Sequence, residues 1–590
     1  MKKRSWITAL LLTALLLTAT GGPAALAEDA KEELNVLKVE NLPEDFILGM
    51  DVSSLIAEEA SGVRYFDFDG SERDLLEILA ENGVTHIRVR VWNDPRDEQG
   101  RGYGGGNCDI ETALAIGKRA TKAGMKLIVD FHYSDFWADP GKQRAPKAWE
   151  KLDPEAKAQA VYDYTAESLT LLKEAEVDVA MVQVGTEINN GMCGETDWDK
   201  ILPLLAAGSR AVREVYPEAL VAVHFTEPQN KGGLHYFAKL LKDGGLDYDV
   251  FGSSYYPFWH GSRENLTAVL TDVRQTFGKK VMVMETSYPY TGEDTDFSGN
   301  SVAADSGLPM DYPFTVQGQA DELRDVAAAV AKVPDGIGVC WWEGAWISVG
   351  GASREENSRL WEQFGSGWAS SFAGDYDEDA GKWYGGSSWD NQGFFDAQGK
   401  PLESLRVFSL LRSGQGDQTP RATPAPAGAA LADQGNNLLQ NGSFESGELA
   451  PWELEDRGSG GELFVEEKEG DSLDGSWHMH FWNPGRDCVD FTLQQTVSDP
   501  GEGSYRFEIS IMGGDCGKTE IFAFVLVDGK QIAEAPLGIT SWNNWDTAKL
   551  PGIAVSAGQS VTVGIRVKAQ GAGNGAWGKI DSAFLVREDG

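Results

Sequence analysis

Two glutamates close apolar runs of strand character: Glu187 follows VAMVQVGT and Glu285 follows VMVM. A carboxyl at each of two strand ends can work as a pair across a cleft. One protonates a leaving glycosidic oxygen while the other attacks the anomeric carbon; a gap of ~5–5.5 Å gives retention and ~6.5–9.5 Å inversion. Other strand-like runs also end in polar and aromatic residues. They finish in Arg88-Val89-Arg90-Val91-Trp92, Asp130-Phe131-His132-Tyr133-Ser134-Asp135, Val184-Gly185-Thr186, His224, Tyr255-Tyr256-Pro257-Phe258-Trp259-His260 and Trp341-Trp342-Glu343. Any apolar run must end in something polar, but so many coincident ends argue for one shared mouth. Competing chemistries lack their signatures: there is no H-E-x-x-H, no G-x-S-x-G and no P-loop.

The elements that would carry these residues alternate. Strands are predicted over 46–53, 85–92, 126–133, 179–187, 220–225, 248–256, 279–286 and 336–344, with helical stretches between them. Residues 71–82 and 109–123 place apolar side chains at three and four spacing, a helical face. Such alternation argues for a parallel sheet closed as a (β/α)8 TIM barrel, whose chemistry sits at the C-terminal strand ends. A doubly wound open sheet is the alternative, but no G-x-G-x-x-G follows the first strand. Residues 413–436, rich in Pro, Ala, Gly, Thr and Gln, form a linker. Beyond it, short alternating runs at 505–512, 521–527 and 560–567, punctuated by Asp528-Gly529 and Asn441-Gly442, predict an all-β sandwich. The predicted domains are 1–27, 28–42, 43–412, 413–436 and 437–590, and no role is assigned to 28–42.

The 590 residues carry 91 Asp and Glu against 51 Lys and Arg, a net charge of −40, which excludes a nucleic-acid partner. Residues 1–27 resemble a secretory signal, with Lys2, Lys3 and Arg4 before an apolar stretch and Ala25-Leu26-Ala27 as the cleavage site. That stretch is short for a membrane span and no lipidated Cys follows, so a secreted, extracellular, soluble protein is expected, without a membrane partner and as a monomer. In that compartment Cys488 with Cys516 and Cys108 with Cys193 are candidate disulfides, unbridged thiols being the alternative, and Cys340 is expected to be free.

The segments DFHYSDFWADPGKQ (130–143), SSYYPFWHG (253–261), VMVMETSYPYTGED (281–294) and GAWISVGG (344–351) resemble glycoside hydrolase family 53. That family contains endo-β-1,4-galactanases acting on galactan side chains of type I arabinogalactan and pectin. The resemblance covers 43–412. It implies a retaining enzyme with Glu187 as acid/base, Glu285 as nucleophile and β-1,4-galactan as the partner. A mannanase-like barrel glycosidase and a non-catalytic galactan-binding protein are the alternatives. The family usually has Asn where Thr186 stands and commonly Pro where Gly344 stands. A slower enzyme, or compensation by Asn189, is the expectation. Arg90, His132 and Tyr256 are expected close to Glu285. Asp135, Trp137, Trp342 and Trp346 complete the expected substrate contacts, Trp137 and Trp346 as sugar-stacking plates.

Asp294, Asp296, Ser298 and Asn300 place oxygen side chains at alternate positions with Gly299 after the third, as in the opening of an EF-hand loop, which suits calcium. Similarity to bacterial members of the family implies that Ser387 and Asp390 share this ion, a structural Ca²⁺ with no part in the chemistry. A solvated acidic turn is the bland alternative. NLLQNGSFE (437–445) and GAWGKIDSAFLV (575–586) resemble a galactose-binding-domain-like sandwich, similar to carbohydrate-binding module family 61. Trp477, Trp482, Trp542, Trp545 and Trp577 are its candidate platforms, Trp452 and Trp577 being equally suited to a core.

Overall fold

A computed structural model describes residues 34–588, apart from 305, 307, 309, 352, 417, 419–436, 459–461, 484–487, 541, 543, 544 and 572–574. Eight parallel strands close into a barrel in chain order: β1 (Ile47–Asp51), β2 (His86–Val91), β3 (Lys126–Phe131), β4 (Val179–Val184), β5 (Leu220–Phe225), β6 (Val250–Ser254), β7 (Lys280–Thr286) and β8 (Gly336–Trp341). The β1–β8 pairing, with Gly49 beside Cys340, completes the ring. Each strand lies inside the range predicted for it.

These strands are buried along nearly their whole length, which explains their continuous Val, Ile and Met content. The barrel interior is filled by Ile47, Ile128, Met181, Ala222, Val250, Met282, Met284 and Cys340. The filling needs one missing side chain: a Cβ at Gly49 would stand 2.2 Å from the Cys340 sulfur. Helices cover the outside. In Ile110–Lys122, Asp109 caps the Thr112 amide at 2.9 Å, Ala113, Ile116 and Ala120 face inward, and Arg119 and Lys122 occupy the last turn. The helix predicted over 71–82 begins at Leu75, because Asp74 caps the Leu76 amide and fixes its start.

Residues 34–39, for which the sequence suggested no role, form a strap. Leu34, Val36 and Val39 are buried, and Val36 forms an antiparallel bridge with Gln415. Gln317 clasps Asn35 at both its N–H and its C=O, at 2.9 and 2.7 Å. The two ends of the barrel region are therefore joined to each other. The predicted signal segment lies outside the described residues, as does the predicted linker from 419 onward.

The second region is all β, in two five-stranded antiparallel sheets. Its strands are β9 (Glu453–Asp456), β10 (Glu462–Glu467), β11 (Trp477–Trp482), β12 (Cys488–Ser498), β13 (Gly503–Gly514), β14 (Cys516–Val527), β15 (Lys530–Pro536), β16 (Asp546–Val555), β17 (Ser560–Gly571) and β18 (Trp577–Arg587). One sheet has the order β10-β11-β18-β13-β16, the other β15-β14-β17-β12-β9. Asp528 and Gly529, both at positive φ, make the two-residue turn from β14 to β15.

All five cysteines are free. Cys488 pairs with Gln570 on one flank of β17 and Cys516 with Gly571 on the other. Two strand spacings, ~9.6 Å, exceed the reach of a disulfide. Cys108 and Cys193 belong to different apolar clusters, and the Cys108 thiol donates to the Gly105 carbonyl.

Candidate active site

The strands end abruptly where the chemistry begins. Tyr133, Glu187, Glu227 and Glu343, each just past a barrel strand, hold left-handed backbone at φ between 44° and 64°. Non-glycine residues reach that region at a cost, and such strain gathers at functional sites. Glu187, at φ 44° and ψ 50°, turns out of β4 into the mouth.

A cleft of about 470 Å³ opens there. His132, Trp137, Thr186, Glu187, Tyr256, Glu285, Trp342 and Trp346 line it, so eight of the expected residues meet in one place. Trp259, Trp368, Trp389 and the ion pair Lys142–Asp377 complete it. Trp137 and Trp346 stack with ring centroids 6.3 Å apart, and Trp342 leans edge-on against Trp389. The Trp137 and Trp346 indole N–H groups donate to the Trp368 and Ser366 carbonyls, which fixes both rings. Trp137, half-buried, keeps a face that suits a sugar's apolar face, whereas Trp346, expected as a second plate, is 1% exposed and has no free face to offer.

The two glutamates have unlike partners. Glu285 Oε1 accepts from Arg88 at 2.9 Å and Oε2 from the Tyr256 hydroxyl at 3.1 Å. Glu187 Oε1 accepts from the Ser254 hydroxyl at 2.6 Å. Burial pushes both carboxyls up; the Glu285 charge adds to the rise on Glu187, and the Asp130 and Asp51 charges add to it on Glu285. On Glu285 the Arg88 guanidinium opposes that rise. Among the described residues no comparable cation touches Glu187, which burial and the Glu285 charge push up to about 8. The arrangement therefore favours a proton on Glu187 and a charge on Glu285, the division of labour of a general acid and a nucleophile.

Arg88, not Arg90, is the arginine at Glu285. Both point inward from β2, but Arg88 sits one layer deeper, bonded to Asp130 at 2.8 Å, Asp51 at 3.2 Å and Gln183 at 3.1 Å. Burial works against the Asp130 charge, yet Arg88 and His132 hold that carboxyl down at about 2. Arg90 is spent beneath the cleft: it pairs with buried Glu343, donates to the Gly105 carbonyl and lies 4.1 Å from the Trp137 ring centroid. His132 Nδ1 accepts from Trp92 and from the Ala138 amide, so Nε2 carries the proton toward Asp130, 3.1 Å away.

Two further expectations are corrected. Asp135 does not face the cleft; its buried carboxylate accepts from the Asp94 and Lys147 amides and locks two loops together. Asn189 does not compensate for Thr186, because its amide both donates to the Thr226 carbonyl and accepts from the Thr226 N–H. Thr186 itself turns inward and donates to Asp130 at 2.9 Å. Arg88, named among the strand ends, and Ser254 were given no role in the site although each lies two residues before a residue singled out, on the same face of its strand, so period-two alternation was signal enough. Trp368 and Trp389 come from an aperiodic loop and carried no such signal.

Beside the cleft, Asp294, Asp296 and Asp390 bring carboxylate oxygens within 4.8 Å of one another. Burial and the Asp390 charge push Asp296 up to about 7. Asp390 Oδ1 and Asn300 Oδ1 are buried with no hydrogen-bond partner among the described residues. Hard oxygen donors left unsatisfied in this way fit a calcium ion. Ser298 and Ser387 already cross-link the same two loops: the Ser298 hydroxyl accepts from the Gly386 amide, and the Ser387 amide donates to Asp296.

Among curated proteins, the chain is 53% identical over 406 residues to an endo-β-1,4-galactanase of Bacillus subtilis, covering 67% of this chain and 94% of that protein. An arabinogalactan endo-β-1,4-galactanase of Cellvibrio japonicus is 33% identical, covering 62% and 91%. The GH53 catalytic domain of Ignisphaera aggregans is 36% identical at a TM-score of 0.57, covering 64% of this chain and 99% of that one. A module named TmCBM61, solved with β-1,4-galactotriose, is 26% identical at a TM-score of 0.23, covering 26% and 99%. The glycosyl hydrolase family 53 model matches residues 47–408, from the first barrel strand into the helix Val407–Ser413. With that match running through every element that builds the cleft, the chain is a glycoside hydrolase and belongs to glycosyl hydrolase family 53.

Proposed function

We propose that this protein is a secreted, retaining endo-β-1,4-galactanase. The observation that carries this reading is the unequal pair in the cleft: Glu285 held by Arg88 and Tyr256, Glu187 facing it without a cation. Glu187 protonates the leaving oxygen while Glu285 attacks the anomeric carbon. Glu187, now ionised, then takes a proton from the water that releases the sugar. Galactan as substrate rests on the relatives named galactanases, which the chain spans almost in full. Secretion rests on residues 1–27.

Calcium, held by Asp294, Asp296 and Asp390 with Asn300, Ser298 and Ser387 around them, ties the loop after β7 to the loop after β8. It takes no part in the reaction. The sandwich binds the same polysaccharide through the outer face of the β10-β11-β18-β13-β16 sheet. There Trp482 pairs with Trp577 and Phe464 with His480, opposite the core face of Met479 and Phe481. Trp542 stands exposed nearby, its N–H on Asp471. Trp452 is core, and Trp477 packs partly against that core.

Linear β-1,4-galactan with product anomers followed by proton NMR tests the reading. The β-anomer should appear first, and Glu285→Gln should slow release by at least about 10³-fold. An α-anomer appearing first excludes retention. Absence of products with galactan binding intact excludes an enzyme of this specificity.

A further inference from the structure

A buried hydrogen-bond circuit runs between the two carboxyls. From Glu285 it passes through Arg88 to Asp130 and Gln183, then through His224 and Ser254 to Glu187. The directions of the bonds in its second half can be assigned. Gln183 Oε1 accepts from Arg88, so its amide nitrogen is the end shared among Asp130, the Gly185 carbonyl, the Thr186 hydroxyl and, at 3.1 Å, His224 Nδ1, and because an amide nitrogen cannot accept, its bond to that ring nitrogen is one it donates. Thr186, 3.4 Å from the same ring nitrogen, gives its own proton to Asp130. His224 Nδ1 is therefore an acceptor and Nε2 carries the ring proton. Burial, with Arg88 nearby, keeps that imidazole neutral, far below its usual range. Nε2 lies 2.9 Å from the Ser254 hydroxyl and donates to it. Ser254, receiving there, has one place for its proton: Glu187 Oε1, at 2.6 Å. Backbone register supports the reach, since Ser254 pairs with Glu285 across β6 and β7 while its side chain crosses to Glu187.

We propose that His224 and Ser254 are positioning residues that hold Glu187 Oε1 as a permanent acceptor, so that the proton delivered to the leaving group sits on Oε2. A carboxyl that could protonate on either oxygen would spend part of its time with the proton aimed at the protein. A one-way donor chain removes that choice. The same donor favours the ionised form that must act as base in the second half of the reaction. Of the other groups facing Glu187, the Thr226 hydroxyl after β5 is a second hydrogen-bonding partner that lowers its affinity for the proton as Ser254 does, Glu285 on β7 and Asp139 after β3 raise it, and Tyr256 after β6 gives its hydroxyl to Glu285. His260, also after β6, lies against Thr226 and the Tyr256 amide.

The inference rests on Glu187 being the acid, as proposed above, and its test is read first on resting protein without substrate. Carboxyl ¹³C NMR, with Glu187→Gln assigning the resonance, should show Glu187 titrating about one pH unit higher in Ser254→Ala than in the wild type, and at the wild-type position in Ser254→Thr. Imidazole ¹⁵N NMR of the wild type at neutral pH, with His224→Gln for assignment, should show a neutral Nε2–H tautomer. On galactan, Ser254→Ala should move the alkaline limb of kcat/KM upward by the same interval and lower kcat about tenfold with KM little changed. An Nδ1–H tautomer or a charged ring in the wild type overturns the proposal even where the variants fail to fold. An unshifted Glu187 in folded Ser254→Ala overturns it too, whatever happens to the rate. A galactan reading that fails leaves both spectroscopic results interpretable.

Discussion

Glu187 makes the folded protein less stable as pH rises. Its proton is released near pH 8 in the fold and near 4.5 in the unfolded chain. Between those values the native state holds one more proton than the unfolded state, so stability falls as pH rises through that window and levels off above it. Removing the charge should reverse the loss. Glu187→Gln is expected to melt close to the wild type at pH 4 and clearly above it at pH 8, a gain on the order of 3 kcal/mol, measured by calorimetry at the two pH values. Equal melting temperatures at pH 8 would mean that Glu187 ionises freely in the fold. Asp130 behaves oppositely: its carboxyl, held at about 2, adds stability above the unfolded value near 4 and loses it as pH falls toward 2.

Among the elements, the loops after β7 and β8 have the most to lose. The β8 loop carries Trp346, Trp368 and Trp389 into the cleft, and the three carboxylates of Asp294, Asp296 and Asp390 stand between it and the β7 loop. Calcium held at about a hundred times its Kd should add about 2.7 kcal/mol, lost in excess EDTA and restored by calcium but not by magnesium. Asp390→Ala should melt at one temperature in all three conditions, and a wild type indifferent to EDTA would discard the ion. These loops also mark where the sequence stopped being legible. Strands announced themselves by apolar runs, and the two glutamates by closing them. Arg88 and Ser254 were available through alternation within those same strands. Trp368 and Trp389 were not, because an aperiodic loop has no repeat from which to infer a facing direction. Asp135 and Asn189 misled for a related reason: a polar side chain near a mouth can serve a loop's amide groups as readily as a ligand.

At the scale of the whole molecule, the proposed function puts two surfaces with one sugar chemistry on one chain. On that proposal the second surface raises the local concentration of substrate without touching the reaction. Trp482→Ala combined with Trp542→Ala should leave kcat on short galacto-oligosaccharides unchanged and raise KM on long galactan about tenfold or more. Equal loss on both substrates would place the sandwich in the folding of the enzyme instead. The charge of −40 suits this scheme, since a neutral polysaccharide is not repelled.

The strap at residues 34–39 also sets how the barrel bears tension. A pull on the chain ends flanking the barrel does not load β1 and β8 at once. It meets the Val36–Gln415 bridge and the Gln317 clasp first, and these part bond by bond. Those few hydrogen bonds stand between the pulled ends and the seam of the first and last strands, so they are the first to carry the load.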